Sequence, residues 1–137
     1  MAETRTEIVE IRVDEDVARA REMSRSLGRE IGFSEPQQVR FTTAVSELAR
    51  NVIKYADFGA CRFSTYSDQH RSRIETVVED EGPGIEDIDK ALEVGFSSAG
   101  TFGAGLPGVR NLVDEFRISS APNGTRVHIT MWGTNRR

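Results

Sequence analysis

Three stretches of this 137-residue chain combine residue types and spacings that can do chemistry. Glu47 and Asn51 stand four positions apart, which makes them neighbours on one face of a helix. A carboxylate and an amide oxygen are hard ligands of the kind Mg²⁺ accepts, directly or through water. The same carboxylate could instead accept the proton of an attacking hydroxyl. The second stretch, Asp80-Glu81-Gly82-Pro83-Gly84-Ile85, puts a carboxylate at the end of a strand-like run and follows it with a glycine turn. A fixed Asp accepting from an exocyclic amine can read adenine, and the glycines let the base come close to the backbone. The third, Gly103-Ala104-Gly105-Leu106-Pro107-Gly108, leads into the start of a helix. There, free backbone N–H groups and the helix dipole favour a phosphate. Taken singly, each stretch also has a plain reading: a solvated helix face, a β-turn, a loop. Seven of the 12 glycines nevertheless crowd into the 27 residues from Gly82 to Gly108, where the backbone must turn sharply or approach a ligand.

The elements that must position these groups follow from hydrophobic periodicity. Residues 7–13 put Val9, Ile11 and Val13 on one face of a strand. Asp14 is the expected N-cap of a helix carrying Val17, Ala20, Met23 or Ser24, Leu27 and Ile31 at helical spacing, with Gly32 as its end. Ser34 and Gln37 form a capping box that opens a helix running to about Tyr55 or Ala56. Its apolar stripe is Phe41, Val45, Leu48, Val52 and Ala56, while Thr43, Glu47, Arg50, Asn51 and Lys54 gather on the other side. Cys61–Ser67 and Arg73–Asp80 read as strands joined by a polar turn. A short helix over 85–92 precedes the glycines, and Pro107 opens a helix with the stripe Val109, Leu112, Val113 and Phe116. Strands at about 117–120 and 126–132 flank Asn123-Gly124, a hairpin signal. These elements predict an α/β two-layer sandwich, a mixed sheet with helices on one face, built as a single domain over 1–137.

Composition narrows the function classes. With 18 basic and 22 acidic residues the net charge is −4, and nothing resembles the basic patch of a nucleic-acid binder. No run of about 18 apolar residues is present, and the first ten residues lack the apolar region of a secretory signal, so a cytoplasmic protein is expected. The one cysteine, Cys61, excludes an internal disulfide or a cysteine metal cluster. His70 and His128 have no companion at zinc-ligand spacing. Met131, Trp132 and a solvated Arg110 take structural readings. There is no GxxxxGK[ST] loop and no His-Arg-Asp loop, which removes P-loop NTPases and ordinary protein kinases. The glycines at 103–108 do not follow a strand of a βαβ unit, so a dinucleotide-binding fingerprint fits poorly.

In this order and spacing the three stretches resemble the Bergerat, or GHKL, ATP-binding domain of histidine kinases, gyrase and MutL. Glu47-Leu-Ala-Arg-Asn51-Val-Ile-Lys54-Tyr-Ala is similar to the N box, Asp80-Glu-Gly82-Pro-Gly84 to the G1 box and Gly103-Ala104-Gly105-Leu106-Pro-Gly108 to the G2 box. Gly124-Thr125 matches the terminal Gly-Thr element. The resemblance implies that Asn51 holds Mg²⁺ and that Asp80 reads the adenine amine. Gly84 would admit the base, and Thr125 would support the adenine-side hydrogen bonds. Gly103, Gly105 and Gly108 would cradle the phosphates, with Lys54, Gly82, Ala104 and Leu106 also at the nucleotide. Residues 95–105 would form a mobile lid. Tyr55 departs from the family, where His often follows the N-box Lys.

The run from Phe96 to Phe116 narrows the resemblance to the switch-protein serine/threonine kinases of bacterial stress signalling, the RsbT type. That likeness implies phosphorylation of Ser or Thr on STAS-domain antagonist and scaffold proteins of the stressosome. It further implies activation of a PP2C-type phosphatase on release, with Glu47 as catalytic base. A polar surface near the N-terminus (Glu10, Arg12, Arg19, Glu22) is the expected docking face. The rival readings are an anti-sigma factor kinase that sequesters a sigma factor, and a non-catalytic, ATP-gated interaction module.

Overall fold

In the computed structural model, the described residues are 1–82 and 105–134. Eight elements follow in order: β1 (Ala2–Ile11), α1 (Asp14–Glu30), α2 (Glu35–Tyr55), β2 (Gly59–Ser67), β3 (Arg71–Asp80), α3 (Gly105–Leu112), β4 (Glu115–Ala121) and β5 (Gly124–Thr134). The strands form one sheet in the order β1-β2-β3-β5-β4. Each described pairing is antiparallel, so the expected mixed sheet is corrected, while the two-layer α/β architecture is found. β2–β3 and β4–β5 are antiparallel hairpins joined by tight turns, while long connections bring β1 beside β2 and β5 beside β3, again in the opposite direction.

Alternation along the strands decides which side is covered. Cys61, Phe63, Ile74, Val78, Val127, Ile129 and Met131 point into one apolar cluster with Phe41, Val45, Leu48 and Val52 of α2 and Val17, Ala20 and Leu27 of α1. Three rings thread this core. Phe33 meets Phe41 edge-on at 5.9 Å between centroids, and Phe41 meets Phe63 edge-on at 6.4 Å. The Phe33 ring sits in a slot made by two glycines: a Cβ on Gly133 would lie 2.8 Å from it and one on Gly28 3.0 Å. Burial pushes the Cys61 thiol up to about 12, as suits an unreactive core residue. The Thr76 hydroxyl lies in the same interior without a hydrogen-bond partner.

Helix ends follow the expected chemistry with one change. Ser34 Oγ accepts from the Gln37 N–H at 3.3 Å and Gln37 Oε1 accepts from the Ser34 N–H at 2.9 Å, closing the capping box. Gly32, at φ 88°, closes α1: the Phe33 N–H reaches the Gly28 carbonyl and the Gly32 N–H that of Arg29. Asp14, however, is the first helical residue and not the cap. The capping is done by Asp16, whose Oδ2 accepts from the backbone N–H groups of Arg12 and Val13 and whose Oδ1 pairs with Arg19. Those bonds, the backbone one from Arg12 foremost, hold the Asp16 carboxyl down at about 2. Val13 consequently lies outside β1 and is exposed.

Two further expectations shift. The helix after the glycines starts at Gly105 and ends at Leu112, so Phe116 belongs to β4, where it pairs with Ile129. Ala121 pairs with Gly124, which makes Pro122-Asn123 the hairpin turn. The helix expected over 85–92 lies outside the described residues, as does the lid expected over 95–105 except Gly105, which is the first residue of α3.

Candidate functional site

The sheet's inner row runs to the end of β3 and the start of β5, and the C-terminal end of α2 packs against the turn that follows β3. Asp80 is the last residue of β3, in register with Thr125 near the start of β5 and with Gly59 on β2. Its Oδ1 accepts from the backbone N–H of Gly82 at 2.9 Å and of Thr125 at 3.3 Å. Its Oδ2 has no partner among the described residues. One oxygen therefore fixes the carboxylate in place and the other remains open to a donor. The backbone leaves no room for drift. A Cβ on Gly82 would lie 2.7 Å from the Tyr55 carbonyl at the end of α2, and one on Gly124 would collide with the Asp80 carbonyl. Thr125 is tied back in turn, its hydroxyl 3.0 Å from that of Ser120 on β4. A half-buried acceptor held this rigidly suits an exocyclic amine.

The polar side of α2 carries Glu47, Asn51 and Lys54. The Glu47 side chain is only 12% exposed, and its Oε1 accepts from Arg50 Nη1 at 2.6 Å. Asn51 is half-buried one turn further on, and Lys54 is exposed with Nζ 5.3 Å from the Tyr55 ring. Gly105 and Leu106, expected in the loop before a helix opened by Pro107, fall with Gly108 in the first turn of α3. Gly105 there adopts φ 52°, a left-handed conformation that costs glycine little. α3 is held by Val109, which is fully buried, with Leu106 and Leu112 packed against the core. Gly84, Gly103 and Ala104 lie outside the described residues.

A cleft of about 730 Å³ opens between the end of α2, the turn after β3 and the β4–β5 hairpin. Lys54 and Gly82 line it, together with Tyr55, Glu81 and Asn123; Glu47, Asn51, Asp80 and Thr125 do not. Tyr55 and Asn123 are thus cleft residues that sequence reasoning did not place. Tyr55 carried a signal, an aromatic at the end of a polar helix face, and it is 51% exposed here. Asn123 carried none beyond its turn propensity. Among the described residues no three His, Cys, Asp or Glu side chains come together as metal ligands. Asn51 with Glu47 would give a cation few protein ligands. That donor set suits Mg²⁺, which keeps its waters and takes its remaining oxygens from phosphates.

The match to known proteins agrees with this geometry. Residues 12–131 match the histidine kinase-like ATPase domain. The chain belongs to that family. It is 43% identical over 125 residues to the serine/threonine-protein kinase RsbT of Bacillus subtilis, a match covering 90% of this chain and 94% of that one. It is also 33% identical to the anti-sigma F factor of Caldanaerobacter subterraneus, over 69% of this chain and 70% of the other. Among solved structures, the RsbU and RsbW domains of Rv1364c from Mycobacterium tuberculosis superpose with a TM-score of 0.69 at 17% identity. That match covers 97% of this chain and about a third (34%) of the other, and it shows the shared fold. The resemblance to RsbT-type serine/threonine kinases is thereby borne out, as is the expectation of a kinase in the ATPase fold. No helix among the described residues is long and apolar enough to cross a membrane.

Proposed function

We propose that this protein transfers the γ-phosphoryl group of MgATP to a Ser or Thr of STAS-domain antagonist and scaffold proteins. Freed of them, it activates a PP2C-type phosphatase in the cytoplasm. The observation that carries the nucleotide reading is the Asp80 carboxylate, with one oxygen pinned by the Gly82 and Thr125 amides and the other open. In this reading Oδ2 accepts from the adenine amine, and Thr125 keeps the carboxylate oriented through its amide. Gly82 holds the turn against α2 so that the base meets backbone and not a side chain. Asn51 supplies an oxygen to the cation, whose part is to neutralise triphosphate charge. Lys54 stands at the cleft mouth as a charge for phosphate. The amides of Gly105, Leu106 and Gly108, in the first turn of α3, face no helical acceptor of their own and suit phosphate oxygens.

Glu47 takes the acceptor hydroxyl's proton. Its near-complete enclosure and its position one turn before Asn51 support that role over simple solvation. The partner assignment rests on likeness to RsbT at 43% identity. The anti-sigma factor reading is the second one, supported by the 33% identity to an anti-sigma F factor.

Labelled ATP, Mg²⁺ and a STAS-domain protein encoded beside this one test the reading. Label should pass to the STAS protein in the wild type and about 10²–10⁴-fold more slowly in Glu47→Ala, with ATP binding retained. A sigma factor held tightly while no STAS protein is labelled would replace the leading reading with the second.

A further inference from the structure

The residue that meets Glu47 has no place in the proposal above. Arg50 stands three positions after Glu47 on α2, so its guanidinium comes back over the same helix face. Nη1 donates to Glu47 Oε1 at 2.6 Å, a short charge-assisted bond. The two partners are unequally placed: the Glu47 side chain is 12% exposed, the Arg50 side chain 53%. Glu47 Oε2 has no partner among the described residues.

An i, i+3 pair whose cation stands in solvent adds little to the stability of a fold. Its effect on geometry is larger. A carboxylate with both oxygens free samples many side-chain rotamers, and a base works only within hydrogen-bond reach of its proton. Fastening one oxygen selects a single rotamer and leaves the other oxygen as the acceptor.

We propose that Arg50 is a positioning residue that clamps Glu47 Oε1 and so presents Oε2 as the proton acceptor. The inference rests on the phosphotransfer reading. In that step the acceptor hydroxyl oxygen bonds to the γ-phosphorus. The bond from that phosphorus to the β–γ bridging oxygen breaks, its electron pair leaving on ADP, and the hydroxyl proton passes to Oε2. Arg50 touches neither ATP nor the acceptor; it acts through Glu47 alone.

The test compares wild type with Arg50→Ala, Arg50→Lys, Glu47→Ala and the double variant Glu47→Ala/Arg50→Ala. ATP affinity is measured by calorimetry, and single-turnover transfer is followed to the STAS-domain protein that the wild type labels. Arg50→Ala should slow transfer about 10–100-fold, the usual effect of a misplaced catalytic group, with ATP affinity unchanged. Arg50→Lys, which keeps a cation on a flexible stem, should recover part of the rate. The double variant should be no slower than Glu47→Ala. The clamp is overturned by a wild-type rate in Arg50→Ala, by a loss confined to ATP affinity, or by a double variant slowed by the full Arg50 factor again. Wild-type transfer by Glu47→Ala alone would instead remove the base reading itself, a failure distinct from Arg50 acting independently.

Discussion

The two faces of the sheet use alternate residues of the same strands, and they carry different loads. Toward the helices stand Phe63, Ile74, Val78, Ile129 and Met131, all buried, and the row ends at Asp80 and Thr125. Toward solvent runs a lattice of charge and ring. Glu79 lies between Arg62 and Arg126, Arg73 bonds Glu75, and His128 links Glu75 to Arg117. Arg73 stacks over Tyr66 at 4.1 Å, and Arg71 over Trp132 at 4.2 Å. The outer lattice has more polar contacts, yet the inner row holds the core and ends at the proposed site. Water and salt screen exposed pairs, whereas the buried row has no solvent to fall back on. A polar group gains leverage where the interior ends, and Asp80 stands at that edge.

Four measurements would break or sharpen this contrast. The largest effect is expected at Phe63, which touches Phe41 and has no exposure: Phe63→Ala should cost about 3–5 kcal/mol in denaturant unfolding. A smaller loss would mean that the core collapses around the gap. Next, Asp80→Asn keeps the volume but removes the charge. ATP binding should weaken by about 1.5–3 kcal/mol, roughly 10–150-fold, while the unfolding midpoint stays near wild type. Wild-type Asp80 should also discriminate against GTP, whose carbonyl would face a carboxylate; equal calorimetric affinities for the two nucleotides would break the assignment.

The third measurement concerns acid. Asp16 is held at about 2 in the fold against an ordinary 3.8, so its charged form is favoured by folding. The sign gives a contribution fully present above about 3.8 and lost as pH falls toward 2. Asp16→Asn should therefore flatten the acid limb of stability in that window and leave the neutral range offset but parallel. The smallest effect belongs to the outer lattice. Glu79→Ala removes two exposed contacts at once and should shift stability by about 1 kcal/mol or less. A loss there as large as that of Phe63→Ala would end the distinction between the faces.

How much of this was legible in the sequence follows the same division. The α2 stripe, the capping box and the inner alternation of β2 and β3 were readable because burial imposes a period on residue type. So was Asp80, since a carboxylate before Gly-Pro-Gly marks a strand end. The cap of α1 was not, because Asp14, Glu15 and Asp16 are chemically alike and sequence does not say which of them turns back to the Arg12 and Val13 amides. Phe116 fitted a helical stripe and became a strand residue, since it stands four positions after Leu112 and two before Ile118 and so satisfies both periods over so short a run. The antiparallel sheet was hidden for a different reason: the partner of β3 is fixed by contacts more than forty residues away. Arg50 was visible only as part of a polar face. Its bond to Glu47 is a matter of rotamers, which sequence does not specify.

The strand order also governs how the chain reaches this state in time. β2 and β3 meet across a tight turn, with Ser67 opposite Ser72, so that hairpin closes a short loop and can form within microseconds. β5 must instead find β3 with Asp80 opposite Thr125, across the whole stretch that carries the glycines and α3. Closing that longer loop loses more chain entropy before any contact repays it, and folds rich in such distant pairings are slow. The Asp80 carboxylate receives its Thr125 amide in the same event that joins the two halves of the sheet. The carboxylate proposed to read the nucleotide therefore gains its second backbone anchor only through a long-range pairing, and a newly made chain cannot present it before β5 has docked on β3.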